Sequence, residues 1–176
     1  KSRYWQWPEY DKESYYYQGT THLGDSLTLK SRLYHDTFKN TLLMYNSLAD
    51  LHNKNGSYSH YSDYSTGAGL QLAADVRQND QLSFAVNWKD DVHREKSAVN
   101  GPYDRYKDRT WSVASEYQWA AAENLDLVAG MSYNWRDNLE GMKHEKNGSL
   151  THYDDNRQSA FNWETMARYR FSNEDT

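Results

Sequence analysis

The stretch Leu82-Ser83-Phe84-Ala85-Val86-Asn87-Trp88-Lys89 decides the fold. Its even positions are apolar and its odd ones small or polar, which is a β-strand with two chemically different faces. The preceding segment repeats the stripe with Leu70, Leu72, Ala74 and Val76 opposite Gln71, Asp75 and Arg77. Trp111, Val113, Tyr117 and Trp119 do so again, with Ser112, Glu116 and Gln118 between them. Leu125, Leu127, Ala129, Met131, Tyr133 and Trp135 face away from Asp126, Ser132, Asn134 and Arg136. Phe161, Trp163, Ala167, Tyr169 and Phe171 close the series against Asn162, Glu164, Arg168 and Arg170. Tyr15–Leu23 and Leu27–Leu33 are weaker versions, and Leu27 to Tyr45 can run as one long strand. The alternation counts seven strands. No segment carries a helical stripe that beats it, and Pro8 and Pro102 are expected outside the strands, because proline cannot donate to a ladder.

Gly24–Ser26, Gln78–Asp80 and Ala120–Asn124 read as short turns. Their odd lengths predict that Leu23 meets Leu27, Val76 meets Leu82 and Trp119 meets Leu125 on one side of the sheet. The connections near 46–65, 95–108 and 136–158 are long and polar. Short turns at one end and long loops at the other define an antiparallel up-and-down meander, all-β, without a linker or domain boundary over 1–176.

Only 37% of the 176 residues are apolar and 26% are charged, and mean hydropathy is -1.12. Such figures suit a disordered chain, but 16 Tyr, 7 Trp and 4 Phe do not. The net charge of -5 lacks the basic stripe of a nucleic-acid binder. Without cysteine there is no disulfide, thiolate metal site or cysteine nucleophile. Gly-x-Ser-x-Gly elbows, phosphate loops and His-Glu-x-x-His are absent, so neither catalysis nor a cofactor is expected. The chain does not begin with Met, which suits a processed chain or an excised fragment.

The apolar stripe can face a soluble core or lipid. Aromatic residues mark the strand ends: Trp119, Tyr169 and Phe171 near the short turns, Trp88, Trp111, Tyr133 and Trp135 toward the long loops. Aliphatic residues lie between, as in a membrane barrel with two aromatic girdles. Loop asymmetry points the same way, since outer-membrane barrels have short periplasmic turns and long extracellular loops. The lipid-facing set is then Leu70, Leu72, Leu82, Phe84, Val86, Trp88, Val113, Tyr117, Trp119, Leu127, Met131, Tyr133, Trp163, Tyr169 and Phe171. The alternative is a soluble, aromatic-rich β-sheet module that binds a ligand such as carbohydrate, with the stripe as its core.

One constellation recurs. His52-Asn53-Lys54-Asn55-Gly56-Ser57-Tyr58-Ser59-His60-Tyr61-Ser62-Asp63 returns as His144-Glu145-Lys146-Asn147-Gly148-Ser149-Leu150-Thr151-His152-Tyr153-Asp154-Asp155, with eight of twelve positions identical. Asn-Gly is a strong hairpin signal, so each copy is expected to form a hairpin tip. Two readings stand: shared turn chemistry, or a pair of ligand-contacting fingers built on His52, Lys54, His60, Tyr61, His144, Lys146, His152 and Tyr153. A three-residue turn puts each His pair on one face and a two-residue turn on opposite faces. A metal site is not expected in either case.

Trp5-Gln6-Trp7-Pro8-Glu9-Tyr10-Asp11-Lys12-Glu13-Ser14-Tyr15-Tyr16 resembles the loop-to-strand entry in barrels of TonB-dependent outer-membrane receptors. Lys89-Asp90-Asp91-Val92-His93-Arg94-Glu95, followed by Asp108-Arg109-Thr110-Trp111-Ser112-Val113-Ala114-Ser115-Glu116, is similar to the same barrels. The resemblance implies a location in the bacterial outer membrane. It also implies a barrel of ~22 strands with a plugged lumen, and import of a scarce small ligand such as a ferric siderophore, energised through TonB. The chain lacks the plug domain and TonB box, so the expectation is a seven-stranded section of the barrel, in contact with the lipid bilayer and coupled to TonB through parts not in this chain. The two terminal strands would carry unpaired ladders, able to pair with absent strands or with another copy.

Overall fold

The computed structural model describes residues 4–77, 79–153 and 155–171. It contains one antiparallel sheet of eight strands: β1 (Tyr4–His22), β2 (Leu27–Tyr45), β3 (Ser57–Arg77), β4 (Asp80–Lys96), β5 (Asp104–Ala122), β6 (Leu125–His144), β7 (Leu150–His152) and β8 (Arg157–Tyr169). A single helical turn, α1 (Leu48–His52), interrupts the series. Each of β1 to β6 pairs with its sequence neighbour, and both β7 and β8 pair with β6. The sheet is therefore an open meander with β1 and β8 at its edges. The eighth strand is β7, three residues inside the last long connection, too short for alternation to reveal.

The strands run well past the apolar stripe. β2 does span Leu27 to Tyr45, and the others reach 17 residues or more apart from β7 and β8. Pro8 is thus inside β1, contrary to expectation. It sits where the register shifts between Gln6 and Glu9, on an edge strand, where a missing N–H costs no ladder bond.

Two expected pairs are corrected. Leu82 lies opposite Ala74 rather than Val76, and Trp119 lies opposite Leu127 rather than Leu125. The register shifts between Asp75 and Arg77 and between Ala120 and Ala122, while Arg77 pairs with Asp80 and Ala122 with Leu125. Each connection carries one bulged residue beside its last ladder pair. The bulge restores the parity that an odd turn would have set, so the same side chains still share a face.

That face is continuous. One rung reads Tyr17, Leu33, Ala68, Trp88, Trp111, Trp135 and Ser159, and two residues along the strands the next reads Gly19, Ser31, Leu70, Val86, Val113, Tyr133 and Phe161. Ring centroids stand 6.5 Å apart from Trp88 to Trp111 and 6.2 Å from Trp111 to Trp135. From the tryptophan rung to the last ladder pair at the short turns is six residues on β2, eight on β4 and ten on β6. The stagger is one residue per strand. With ~3.3 Å per residue and ~4.8 Å between strands, this sets a strand tilt of about 35°, within the range of barrel walls.

Among the described residues nothing covers the apolar face. Phe84 is 51% exposed, Met131 59% and Trp163 73%, and the buried apolar residues are Tyr45 and Val92. The accessible surface is 13109 Å², whereas a compact 20.8 kDa monomer exposes about 8,900 Å². The soluble module with the stripe as its core is therefore not favoured: there is no core for the stripe to form.

Candidate functional site

The polar face differs along its length. Near the short turns and mid-strand it mixes small residues and amides, such as Ser83, Ala85, Ser112 and Asn134, with the charges of Glu116, Asp126, Glu164 and Arg168. Toward the long loops it turns acidic and aromatic. One rung there holds Asp36, Ser65, Asp91, Asp108 and Asn138, and the next holds Phe38, Asp63, His93 and Tyr106. These two rungs line a shallow hollow, bordered by Lys12.

Four rings run across it. Tyr61 lies 5.3 Å from His93, His93 lies 5.9 Å from Tyr106, and Tyr106 lies 6.2 Å from Tyr153, measured between centroids. Alternation places Tyr61, His93 and Tyr106 on one face of three adjacent strands. Tyr153 joins them because its backbone N–H donates to the Gly141 carbonyl at 2.8 Å. A Cβ at Gly141 would stand 2.8 Å from the Cβ of Tyr153, so only glycine admits this approach.

Carboxylates fix the line. His93 Nδ1 is 2.9 Å from Asp63 Oδ1 and its Nε2 is 3.7 Å from Glu95 Oε2. Burial, then the charge of Asp104, pushes the Tyr106 hydroxyl pKa up, so it remains a hydrogen-bond donor at neutral pH. Asp91 and Asp108 are directly opposite each other across β4 and β5, an arrangement that like charges resist. Each has its own cation: Lys89 Nζ lies 2.8 Å from Asp91, and Arg136 pairs with Asp108. Asn138 donates to Asp108 at 3.0 Å and keeps its buried Oδ1 without a hydrogen-bond partner. The arrangement offers stacking surfaces, acceptors and a hydroxyl. Among the described residues no group of three His, Asp or Glu is placed to hold a metal ion.

The eight residues singled out from the repeat separate. Tyr61 and Tyr153 end the aromatic line. His60 lies on the opposite face from Tyr61, 2.7 Å from Thr41 Oγ1 and 3.3 Å from Glu9, near the rings of Tyr58 and Tyr103. His144 is held by Asp104, through its backbone N–H at 2.6 Å and Nδ1 at 3.1 Å. His52, Lys54, Lys146 and His152 are exposed. The middle of the line, His93 and Tyr106, lies outside the repeat; the alternation of Lys89–Glu95 and Asp104–Asp108 was the signal that could have found it.

The two copies of the repeat also fold differently. In the second, Gly148 N–H donates to the Glu145 carbonyl and Glu145 N–H to the Ser149 carbonyl, with Gly148 at φ 85. This is a three-residue tip with glycine in the left-handed position. His144 faces Leu150 and His152 faces Met142, so the two His share a face two positions apart. The expected hairpin fails in the first copy. There Ser47 Oγ accepts from the Asp50 N–H and starts α1, so the chain reaches Asn55 and Gly56 out of a helical turn. Gly56 is needed for space: a Cβ would lie 2.7 Å from the Met44 carbonyl oxygen.

No protein-family profile matches this chain, and no curated protein sequence matches it. Solved structures do. The copper transporter OprC matches with a TM-score of 0.80 at 12% identity, over 97% of this chain and 30% of that one. The ferric-catecholate import receptor Fiu from Escherichia coli K12 matches with a TM-score of 0.65 at 10% identity, over 92% of this chain and 31% of that one. The chain thus spans about a third of the length of these transporters. At such identities the likeness is one of fold: an antiparallel meander like part of an outer-membrane transporter barrel.

Proposed function

We propose that the chain is a section of the wall of an outer-membrane, TonB-dependent-type transporter in a Gram-negative cell, and that the whole protein recognises and imports a scarce small ligand such as a ferric siderophore. The observation that carries this reading is the uncovered apolar face bounded by the tryptophan rung. From Leu125 to Trp135 on β6 is ten residues, or about 33 Å along the strand and about 27 Å along the normal at the tilt above, close to the ~25 Å apolar band of such barrels. The residues assigned to lipid share this face, and Phe171, just past β8, packs its ring 4.8 Å from Tyr169. The polar face then borders a plugged lumen, with the aromatic line at its mouth as the ligand-contacting region and TonB engaged by parts of the protein outside this section. The open edges of β1 and β8 pair with further strands of the wall or, in the isolated section, with another copy.

The test uses the full-length protein. Cells that lack it should lose energy-dependent uptake of one ligand in a panel of radiolabelled ferric siderophores, cobalamin and oligosaccharides. Unchanged uptake across the panel would refute the transport reading. Recovery of the protein folded and monodisperse without detergent would refute the membrane one.

A further inference from the structure

At the mouth of the polar face, β4 and β5 stack three cross-strand pairs: Asp91 with Asp108, His93 with Tyr106, and Glu95 with Asp104. Like charges directly opposite each other destabilise a sheet, yet two such pairs bracket the central rings of the aromatic line. Lys89 and Arg136 relieve the first pair. The second has no such relief. Among the described residues, Glu95 meets only His93, at 3.7 Å, and Asp104 only His144. Tyr61 lies opposite Glu95, so the unrelieved pair stands beside the first ring of the line.

The rest of the hollow repeats the imbalance. Asp63 accepts from the Arg94 backbone N–H at 3.1 Å and approaches His93, without a Lys or Arg side chain. Asp36 lines the hollow with no ion pair of its own among the described residues. Of the basic side chains on this face, Lys89 and Arg136 hold Asp91 and Asp108, and Lys143 lies 3.5 Å from Glu145. Lys12 alone is left to answer four carboxylates. Donors are short as well as cations, because an ionised carboxylate only accepts. Ser59, 7% exposed and two residues from Tyr61 on the same face, leaves its Oγ without a partner. Asn40, opposite Tyr61, and Asn138, opposite Asp108, each leave a buried carbonyl oxygen without a donor. These three oxygens all belong to this face, toward the two ends of the aromatic line.

A ligand that fits this mouth has to supply positive charge and hydrogen-bond donors. We propose that the imported ligand is a cation. Its ammonium or guanidinium groups meet Glu95 and Asp104 at one end of the hollow and Asp36 and Asp63 at the other, with its body along the rings of His93 and Tyr106. A cation beside tyrosine faces gains further attraction from the ring quadrupoles. Asp91 lies three residues beyond Trp88 and Glu95 seven. At the strand tilt above, that is about 8 to 19 Å past the aromatic level, where a ligand arrives from the medium. This rests on the transporter reading and narrows it: an anionic ferric chelate, whose outer oxygens are acceptors, meets repulsion here.

The experiment measures binding to the full-length protein in neutral detergent, by calorimetry, for two pairs of probes matched in shape. Ferrioxamine B carries a free ammonium and its N-acetyl form does not; the glucosamine trimer carries three and its N-acetylated form none. Ferric enterobactin, a trianion, is the fifth probe. The cationic member of a pair should bind tighter by about fivefold for each charge engaged, and the gap should shrink as salt rises. Asp36→Asn and Glu95→Gln should each weaken the cation about fivefold and narrow the gap to its neutral twin. Glu13→Gln, on the outer face of β1, should leave the gap as it is. If Glu95→Gln does not fold, Asp36→Asn, which breaks no ion pair, still decides. Equal affinity within both pairs, tightest binding of ferric enterobactin, or no binding by either cation would overturn the proposal. Each of those results leaves the transport reading standing while cells still need the protein to take up some ligand; loss of that need ends both.

Discussion

Leu72→Arg and Ala73→Arg place the same charge on neighbouring residues that point to opposite faces. Leu72 is the cross-strand partner of Phe84, which lies four residues from Trp88 and four from the start of β4 at Asp80. Leu72 therefore sits at mid-depth of the apolar band. An arginine there should cost ~2–4 kcal/mol, or roughly 30- to 900-fold in the folding equilibrium, against about zero for Ala73→Arg on the polar face. Val86→Arg, two residues nearer the tryptophan rung, should cost less than Leu72→Arg. Were the face merely in water, the cost at Leu72 would stay within about 0.5 kcal/mol. The assay is refolding of the full-length protein from urea into thin lipid vesicles, followed by tryptophan fluorescence and by the mobility of unheated samples in electrophoresis. Equal cost at Leu72 and Ala73 would refute the reasoning.

A Cβ at Gly67 would run into the ring of Tyr34, its cross-strand partner. Gly67→Val should cost ~1–3 kcal/mol, and most of that should vanish in a Tyr34→Ala background; additive costs would show that the ring is not the obstacle. Gly148→Ala forces a side chain onto φ 85 and should cost about 1–2 kcal/mol locally. Gly56→Ala should cost more, because its Cβ meets a backbone carbonyl; hydrogen exchange at each loop ranks them. The Arg109 guanidinium holds the Asp90 carboxyl below its usual value of 3.8. Its stabilisation is therefore present above that pH and lost as pH falls through the lower folded value, so Asp90→Asn should shrink the loss of stability between pH 5 and about 3. An unchanged acid limb in urea titrations would contradict the assignment. Deleting residues 146–148 should leave the sheet folded, by circular dichroism, but reduce ligand uptake.

What could be read from sequence tracks where hydropathy alternates. Inside the apolar band Leu82–Trp88 and Leu125–Trp135 announce their faces because one side avoids water. Past the tryptophans both faces are polar, so hydropathy is flat, and the strand ends, β7 and the true course of β1 went unseen. The order persists in charge instead: Asp104-Arg105-Tyr106-Lys107-Asp108-Arg109 alternates between acid or ring on one face and base on the other. Turn parity was legible; the bulges at Val76 and Ala121, which slide pairs by two residues while conserving faces, were not. The repeat shows the limit of local motifs. Its Asn-Gly pair becomes a tip where strand continues into it, and the exit of a helical turn where Ser47 supplies a cap.

The stagger of one residue per strand makes the interior surface a ramp. Moving one strand along a rung, from β1 toward β8, carries a side chain about 3 Å further from the short-turn end. A ligand handed from ring to ring along His93, Tyr106 and Tyr153 would climb as it circles, as on a screw thread. In a closed wall such a rung cannot meet itself after one circuit; at this stagger it returns displaced along its starting strand by as many residues as there are strands. Neighbouring rungs, two residues apart, are then separate threads, and a rung that starts near the short turns runs off the long-loop end before it completes a circuit, so each layer of chemistry seen across this section continues at a different height around the whole.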